Sequence, residues 1–160
     1  MEKTLETSIL RVCRALAENE VDYIFVGGTA VALNGYYRIS TDQMGVVSAK
    51  PDLDVWYRPD YTNYFNLLSA LDSLGHDVDE LRSESNPDPY RSFFRIDLEQ
   101  FTLDLLPTLK SGLVFSEVRR RAETVVVQNV PIHFMEYNDL ILDKRKTGRK
   151  KDLDDIDHLI

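Results

Sequence analysis

The sequence predicts an α+β fold: a mixed β-sheet with helices packed on it and a helical segment at the C-terminus. Three observations carry this. Apolar residues recur at helical spacing near the N-terminus and again over 61–75, and short apolar runs of strand length stand at 21–26, 52–57 and 101–106. The first of those runs breaks at Gly27-Gly28 and passes directly into a helical pattern. At 160 residues with 43% hydrophobic content, the chain is long enough for one domain, 1–160, with a sizeable core.

Taken in order, Leu5, Ile9, Val12, Leu16 and Ala17 place an amphipathic helix over 4–18. Val21 to Val26 reads as a short buried strand, and 28–35 as the helix after the glycines, with Gly35 able to cap it. Residues 52–57 are a strand, and Tyr61, Tyr64, Phe65, Leu67, Leu68 and Leu71 mark a helix ending at Gly75. The turn-rich stretch 83–89 leads to adjacent strands at 90–98 and 101–106. A helix begins at Ser116, short strands follow at 124–127 and 131–135, and Asn138 onward is helical.

Chemistry gathers at two places. A strand that breaks at two residues without side chains and turns into a helix lets a phosphate approach the backbone N–H groups of Gly27 and Gly28, with the Thr29 hydroxyl beside them. In Asp52-Leu53-Asp54 the side chains alternate, so both carboxylates share one face of the strand. Like charges so close repel unless a cation lies between them, and hard oxygen donors suit Mg²⁺ (or Mn²⁺). Asp104 is a third carboxylate, alone in the apolar run 101–106, where a charge is costly without a partner. It can serve as a further metal ligand or as the base that takes a proton from an attacking hydroxyl. Blander readings stand beside these: Gly27-Gly28 as a tight turn, Asp52 as a turn cap after Pro51, and Asp97 as an ion-paired strand residue.

Strand, Gly-Gly, helix, Asp-x-Asp on a strand and a lone Asp on a later strand together resemble the nucleotidyltransferase superfamily with the polymerase-beta-like fold. Within it the chain is most similar to the minimal nucleotidyltransferases and AbiEii-type proteins of bacterial toxin–antitoxin and phage-defence systems. The resemblance is good over about residues 20–110 and looser in the C-terminal stretch. It implies that Gly27 and Gly28 cradle phosphates, that Asp52 and Asp54 bind metal and that Asp104 is the third carboxylate. Lys144 and the run from Gly148 through Arg149 to Asp152 resemble the helical element that reaches back to the nucleotide. Where many members have Gly-Ser, Gly28 stands here and Thr29 substitutes for the serine. Relatives place the paired carboxylates soon after an Arg-x-Thr segment, whereas here 42–50 intervene after Thr41. That insertion reads as a mobile loop beside the site, with Lys50 able to reach a phosphate; a different register would recruit Asp42.

The implied activity is metal-dependent transfer of a nucleoside monophosphate from a triphosphate to a hydroxyl acceptor, which is an RNA end, a partner protein or a small molecule. A catalytically silent nucleotide-binding or toxin-neutralising module of the same fold is the alternative. A sugar-nucleotide glycosyltransferase also uses Asp-x-Asp, but places a longer nucleotide-binding unit before it. The net charge of −8 argues against a broad nucleic-acid-coating surface without excluding a local patch. Residues 144–151 hold six basic side chains in eight positions, read either as a solvated helix face or as a contact for triphosphate or RNA. Arg119 to Arg121 read as cations at the end of a helix, and 154–158 as a polar helix face. His76, His133 and His158 share no ligand spacing, and the single cysteine, Cys13, excludes an internal disulfide framework. No apolar run spans a bilayer and residues 1–10 lack a signal-peptide pattern, which points to a cytoplasmic protein with no membrane partner. The sequence sets no oligomeric state.

Overall fold

The computed structural model describes residues 3–35 and 50–160. The insertion read above as a loop, with Asp42 in it, lies outside the described residues apart from Lys50.

A six-stranded mixed sheet organises the chain. Its strands are β1 (Tyr23–Phe25), β2 (Asp52–Tyr57), β3 (Phe94–Asp97), β4 (Thr102–Leu106), β5 (Glu123–Val127) and β6 (Val130–Phe134), in the spatial order β3-β4-β2-β1-β6-β5. β2 runs antiparallel to β1 and parallel to β4, and β1 runs parallel to β6. The helices are α1 (Lys3–Glu18), α2 (Gly27–Leu33), α3 (Tyr61–Ser73), the short α4 (Asp79–Arg82), α5 (Phe115–Arg121), α6 (Tyr137–Thr147) and α7 (Lys150–Leu159).

Alternation along the strands divides the core into two layers. Tyr23 and Phe25 of β1, Leu53, Val55 and Tyr57 of β2, and Leu103 and Leu105 of β4 face α1 and α3, whose apolar stripes cover them. Ile24 and Trp56 point the other way and pack with Val31 of α2, Val118 of α5 and Leu140 of α6. Trp56 meets Phe115 edge to face at 5.2 Å and donates its indole N–H to the Pro107 carbonyl at 3.0 Å. Asp52, Asp54 and Asp104 belong to this second face, so the carboxylates open beside a core rather than onto a bare sheet.

The structure trims several sequence expectations. The first strand is three residues long, because Gly27 adopts φ +56° and α2 starts there. The strand read over 90–98 is confined to β3, since Pro89–Arg91 form a 3₁₀ turn after an Asp88 cap. α4 was not foreseen; four residues carry too little periodicity to show. The single C-terminal helix is two, split at Gly148 with φ +62°. The arginine triplet does form the last turn of α5, and two of its members are also paired: Arg119 meets Asp22 at 2.9 Å and Arg121 grips Asp139 through two bonds of 2.9 and 3.1 Å. The polar helix face at the C-terminus also needs correcting, because Asp155 is fully buried.

Buried Asn63 stitches the turn into α3. It accepts from the Asp22 N–H at 2.7 Å and donates to the carbonyls of Asp22 and Arg58 at 2.9 Å each. Removing the amide strands backbone groups that water reaches poorly, so Asn63→Ala should lower unfolding stability by about 2 kcal/mol in urea titrations. A loss within error of zero would show that solvent replaces these bonds.

Candidate active site

The β1–α2 turn and β2 are fitted to one another atom by atom. The Val26 N–H donates to the Asp54 carbonyl at 3.0 Å, and the Asp54 N–H donates to Thr29 Oγ1 at 2.9 Å. The Gly28 N–H favours the charged form of the Asp54 carboxyl. At Gly27 a Cβ would come within 2.7 Å of Asp54 Oδ2, and the positive φ is itself strained for any residue with a side chain. The glycine pair therefore seats Asp54, and Thr29, which is buried, fastens α2 to β2.

Parallel pairing of β2 with β4 sets Asp54 directly opposite Asp104, while Asp52 stands opposite Thr102. The Thr102 hydroxyl donates to Asp52. β3 completes the cluster from the other side of β4, where antiparallel register sets Arg95 opposite Asp104. Arg95 Nη1 lies 2.9 and 3.0 Å from the two Asp104 oxygens, and Nη2 lies 3.7 Å from Asp52 Oδ1. One guanidinium thus bridges two of the three carboxylates.

Burial and like charge act together on Asp54. Desolvation first, and the negative charge of Asp104 next, push its carboxyl up to about 6; Lys144 and the Gly28 N–H oppose this, while Asp52 adds to it. Burial also raises Asp104, and the Arg95 guanidinium pulls it back down.

Asp54 and Asp104 open into a cavity of about 680 Å³, a size suited to a nucleotide. Val26, Gly27 and Gly28 line it beside them. The segment before β3 contributes Tyr90, Arg91 and Phe93, the segment after β4 contributes Lys110, and α6 with the start of α7 contributes Asp143, Lys144, Thr147, Arg149 and Lys151. Tyr90 and Phe93 are exposed despite their size.

The basic run is more ordered than either reading of it supposed. Lys144 is buried, with Nζ 3.1 Å from both Asp152 and Asp155. Asp152 also accepts from Thr147 Oγ1 at 2.8 Å, from the Arg149 N–H at 3.1 Å and from Arg149 Nε at 2.7 Å. Despite the burial penalty, these donors and Lys144 hold the Asp152 carboxyl far below the usual carboxylate range. Asp152 thus ties Lys144, Thr147 and Arg149 together across the bend at Gly148.

Of the residues singled out from sequence, Gly27, Gly28, Asp54, Asp104, Lys144 and Arg149 meet at this cavity. Asp52 flanks it through its contact with Arg95, and Thr29 lies beneath it. Lys50 does not line it: its ammonium donates to Asp97 and to the Leu98 carbonyl at 2.8 Å. Asp97 is thereby the ion-paired strand residue that its alternation suggested. Sequence reading passed over Arg95, Tyr90, Phe93 and Asp143, because only strand register and the C-terminal bend bring them here.

The donor set is all oxygen and lies on one face, which suits a hard divalent cation. Among the described residues no three carboxylates already converge in ligating geometry. Arg95 lies against two of the three, Asp104 and Asp52. The residues fit a cation provided that this guanidinium gives way.

A mixed sheet whose Gly-Gly turn and Asp-x-Asp strand meet a third carboxylate across a parallel pair defines a nucleotidyltransferase-like protein. The chain belongs to the family described as "Nucleotidyl transferase of unknown function (DUF2204)", which matches residues 5–160. It is similar in fold to the crystal structure of an antigenic nucleotidyltransferase-like protein from Paracoccidioides brasiliensis, at 14% identity and a TM-score of 0.54, covering 99% of this chain and 74% of that one. Among curated proteins there is no match. No helix among the described residues is long and apolar enough to cross a membrane.

Two substitutions test the local geometry. Thr29→Val leaves the Asp54 N–H without its acceptor and should cost about 2 kcal/mol of unfolding stability; unchanged stability would mean that α2 is held by packing alone. For Asp54 the sign follows from its raised value. A carboxyl with a folded pKa above its unfolded one contributes stability at low pH that is lost as pH rises from about 4 through about 6. Asp54→Asn should therefore raise the metal-free unfolding stability at pH 7.5 by about 1 kcal/mol after solvent screening, seen as a higher melting temperature, and the gain should vanish near pH 3.5. An equal change at both pH values would contradict the assigned burial.

Proposed function

We propose that this chain moves a nucleoside monophosphate from a nucleoside triphosphate to a hydroxyl acceptor, with Mg²⁺ (or Mn²⁺) held at Asp52, Asp54 and Asp104. The observation that carries this reading is the in-register pair Asp54–Asp104 at a nucleotide-sized cavity lined by Lys110, Lys144, Arg149 and Lys151. Carboxylates there are ill placed to attract a triphosphate by themselves, and the cationic residues beside them offset that charge.

The triphosphate lies along Lys144 and Arg149, whose positions Asp152 fixes, and the exposed faces of Tyr90 and Phe93 offer apolar surface to the rest of the nucleotide. When bound, the cation neutralises charge at the α-phosphate and on the departing pyrophosphate. An acceptor oxygen attacks the α-phosphorus, the α–β phosphoanhydride bond breaks, pyrophosphate leaves and the acceptor proton passes to Asp104. Such transfer depends on positioning and charge neutralisation more than on covalent catalysis. Acceptors compatible with this step are an RNA end, a protein hydroxyl or a small molecule, and a place in a toxin–antitoxin or phage-defence pair belongs to the same proposal.

One observation favours a second reading, a silent nucleotide-binding or toxin-neutralising module: Arg95 already neutralises Asp104. The two readings part on turnover. Purified protein with Mg²⁺, each labelled nucleoside triphosphate and either total bacterial RNA or cell lysate should label one acceptor class and release pyrophosphate. Asp104→Ala should cut transfer by roughly 10²-fold or more while nucleotide affinity changes little. Nucleotide binding without transfer to any acceptor would select the silent module.

A further inference from the structure

A guanidinium between two carboxylates at a cation site does the electrostatic work of a cation. Arg95 reaches both Asp104 oxygens at 2.9 and 3.0 Å and Asp52 at 3.7 Å, leaving Asp54 as the one carboxylate of the three it does not touch. β3 places it there by register, directly opposite Asp104 in the antiparallel pair. The arrangement is firm at the backbone and loose at the tip: β3 is paired to β4 along its length, whereas the Arg95 side chain is 55% exposed. A half-exposed guanidinium exchanges one charge-assisted contact for water at small cost, unlike the fully buried Lys144 ammonium.

We propose that Arg95 is a resident, displaceable counter-ion of the metal site: it holds Asp104 and Asp52 in the metal-free protein, and a divalent cation binds only by driving its guanidinium off Asp104. This rests on the metal-dependent reading above and adds to it a residue that sets cation affinity. Two consequences follow from charge alone. Metal-free protein needs Arg95 to offset Asp104 and Asp52, and the cation must overcome an interaction that a neutral side chain would not make.

The test compares wild type, Arg95→Gln and Arg95→Lys, all without nucleotide, by titrating Mn²⁺ alone and following free Mn²⁺ by electron paramagnetic resonance. Arg95→Gln should bind Mn²⁺ roughly tenfold or more tightly than wild type, about 1.4 kcal/mol. Arg95→Lys keeps the charge but lacks the fork that reaches both oxygens, and should fall between the two. Metal-free Arg95→Gln should also melt below wild type, and saturating Mn²⁺ should close the gap. In wild type, the Arg95 side-chain N–H resonance should shift on saturation with Mg²⁺, a readout that does not depend on either variant folding. Equal or weaker Mn²⁺ binding by both variants, or an Arg95 resonance unmoved by Mg²⁺ that is seen to bind, would overturn the proposal while leaving metal-dependent transfer standing. Failure of all three proteins to bind Mn²⁺, with or without ATP, would overturn both.

Discussion

The fit between Asp54 and the Gly27-Gly28 turn is the constraint on which the site depends. A carboxylate on the second strand of an antiparallel pair ordinarily projects away from the turn that follows the first. Here the turn is drawn over it, through the Val26 and Asp54 backbone bonds and the Gly28 N–H. Only glycine at position 27 tolerates both the left-handed backbone and the nearness of the Asp54 oxygens. The glycines are thus a seat for a carboxylate.

Charge is what this arrangement must then contain. Asp52, Asp54 and Asp104 lie on one face of adjacent strands, and such a set is unstable without compensation. Two cations from different elements supply it. Arg95 comes from the neighbouring strand and takes Asp104 and Asp52; Lys144 comes from α6 and acts on Asp54 across the cavity. Lys144 cannot turn fully to that task, because Asp152 and Asp155 hold it at 3.1 Å each. Burial first, and the Asp104 charge that Lys144 does not fully offset, leave Asp54 raised. Breaking the Lys144 cage by removing one partner would leave a buried charge unpaired, so the C-terminal bend and the site are joined through a single ammonium.

Much of this was legible in the sequence, and for a physical reason. Period-two and period-3.6 patterns survive wherever an element has one wet and one dry face, as in α1 and α3, and Asp54 showed itself as a charge within an apolar strand. Short or register-dependent features did not survive. α4 is too brief to have a period, and Gly148 among six cations looked like part of one helix until its φ of +62° ended α6. Arg95 is ordinary in sequence, alternating with Phe93 and Asp97; only the pairing of β3 with β4 sets it against Asp104. Lys50 illustrates the converse. Nearness to Asp52 along the chain suggested a phosphate contact, but the alternation of β3 offers it Asp97 instead.

The distribution of charge gives the net value of −8 a meaning that composition alone does not. A uniformly acidic surface would repel a triphosphate as strongly as it repels RNA. Yet the residues lining the cavity include Arg91, Lys110, Lys144, Arg149 and Lys151 against Asp54, Asp104 and Asp143. Positive charge is therefore gathered where phosphate would lie, while the acidic excess is spread over the remainder of the chain. Under the proposed reading, that contrast favours a small polyanion at the cavity.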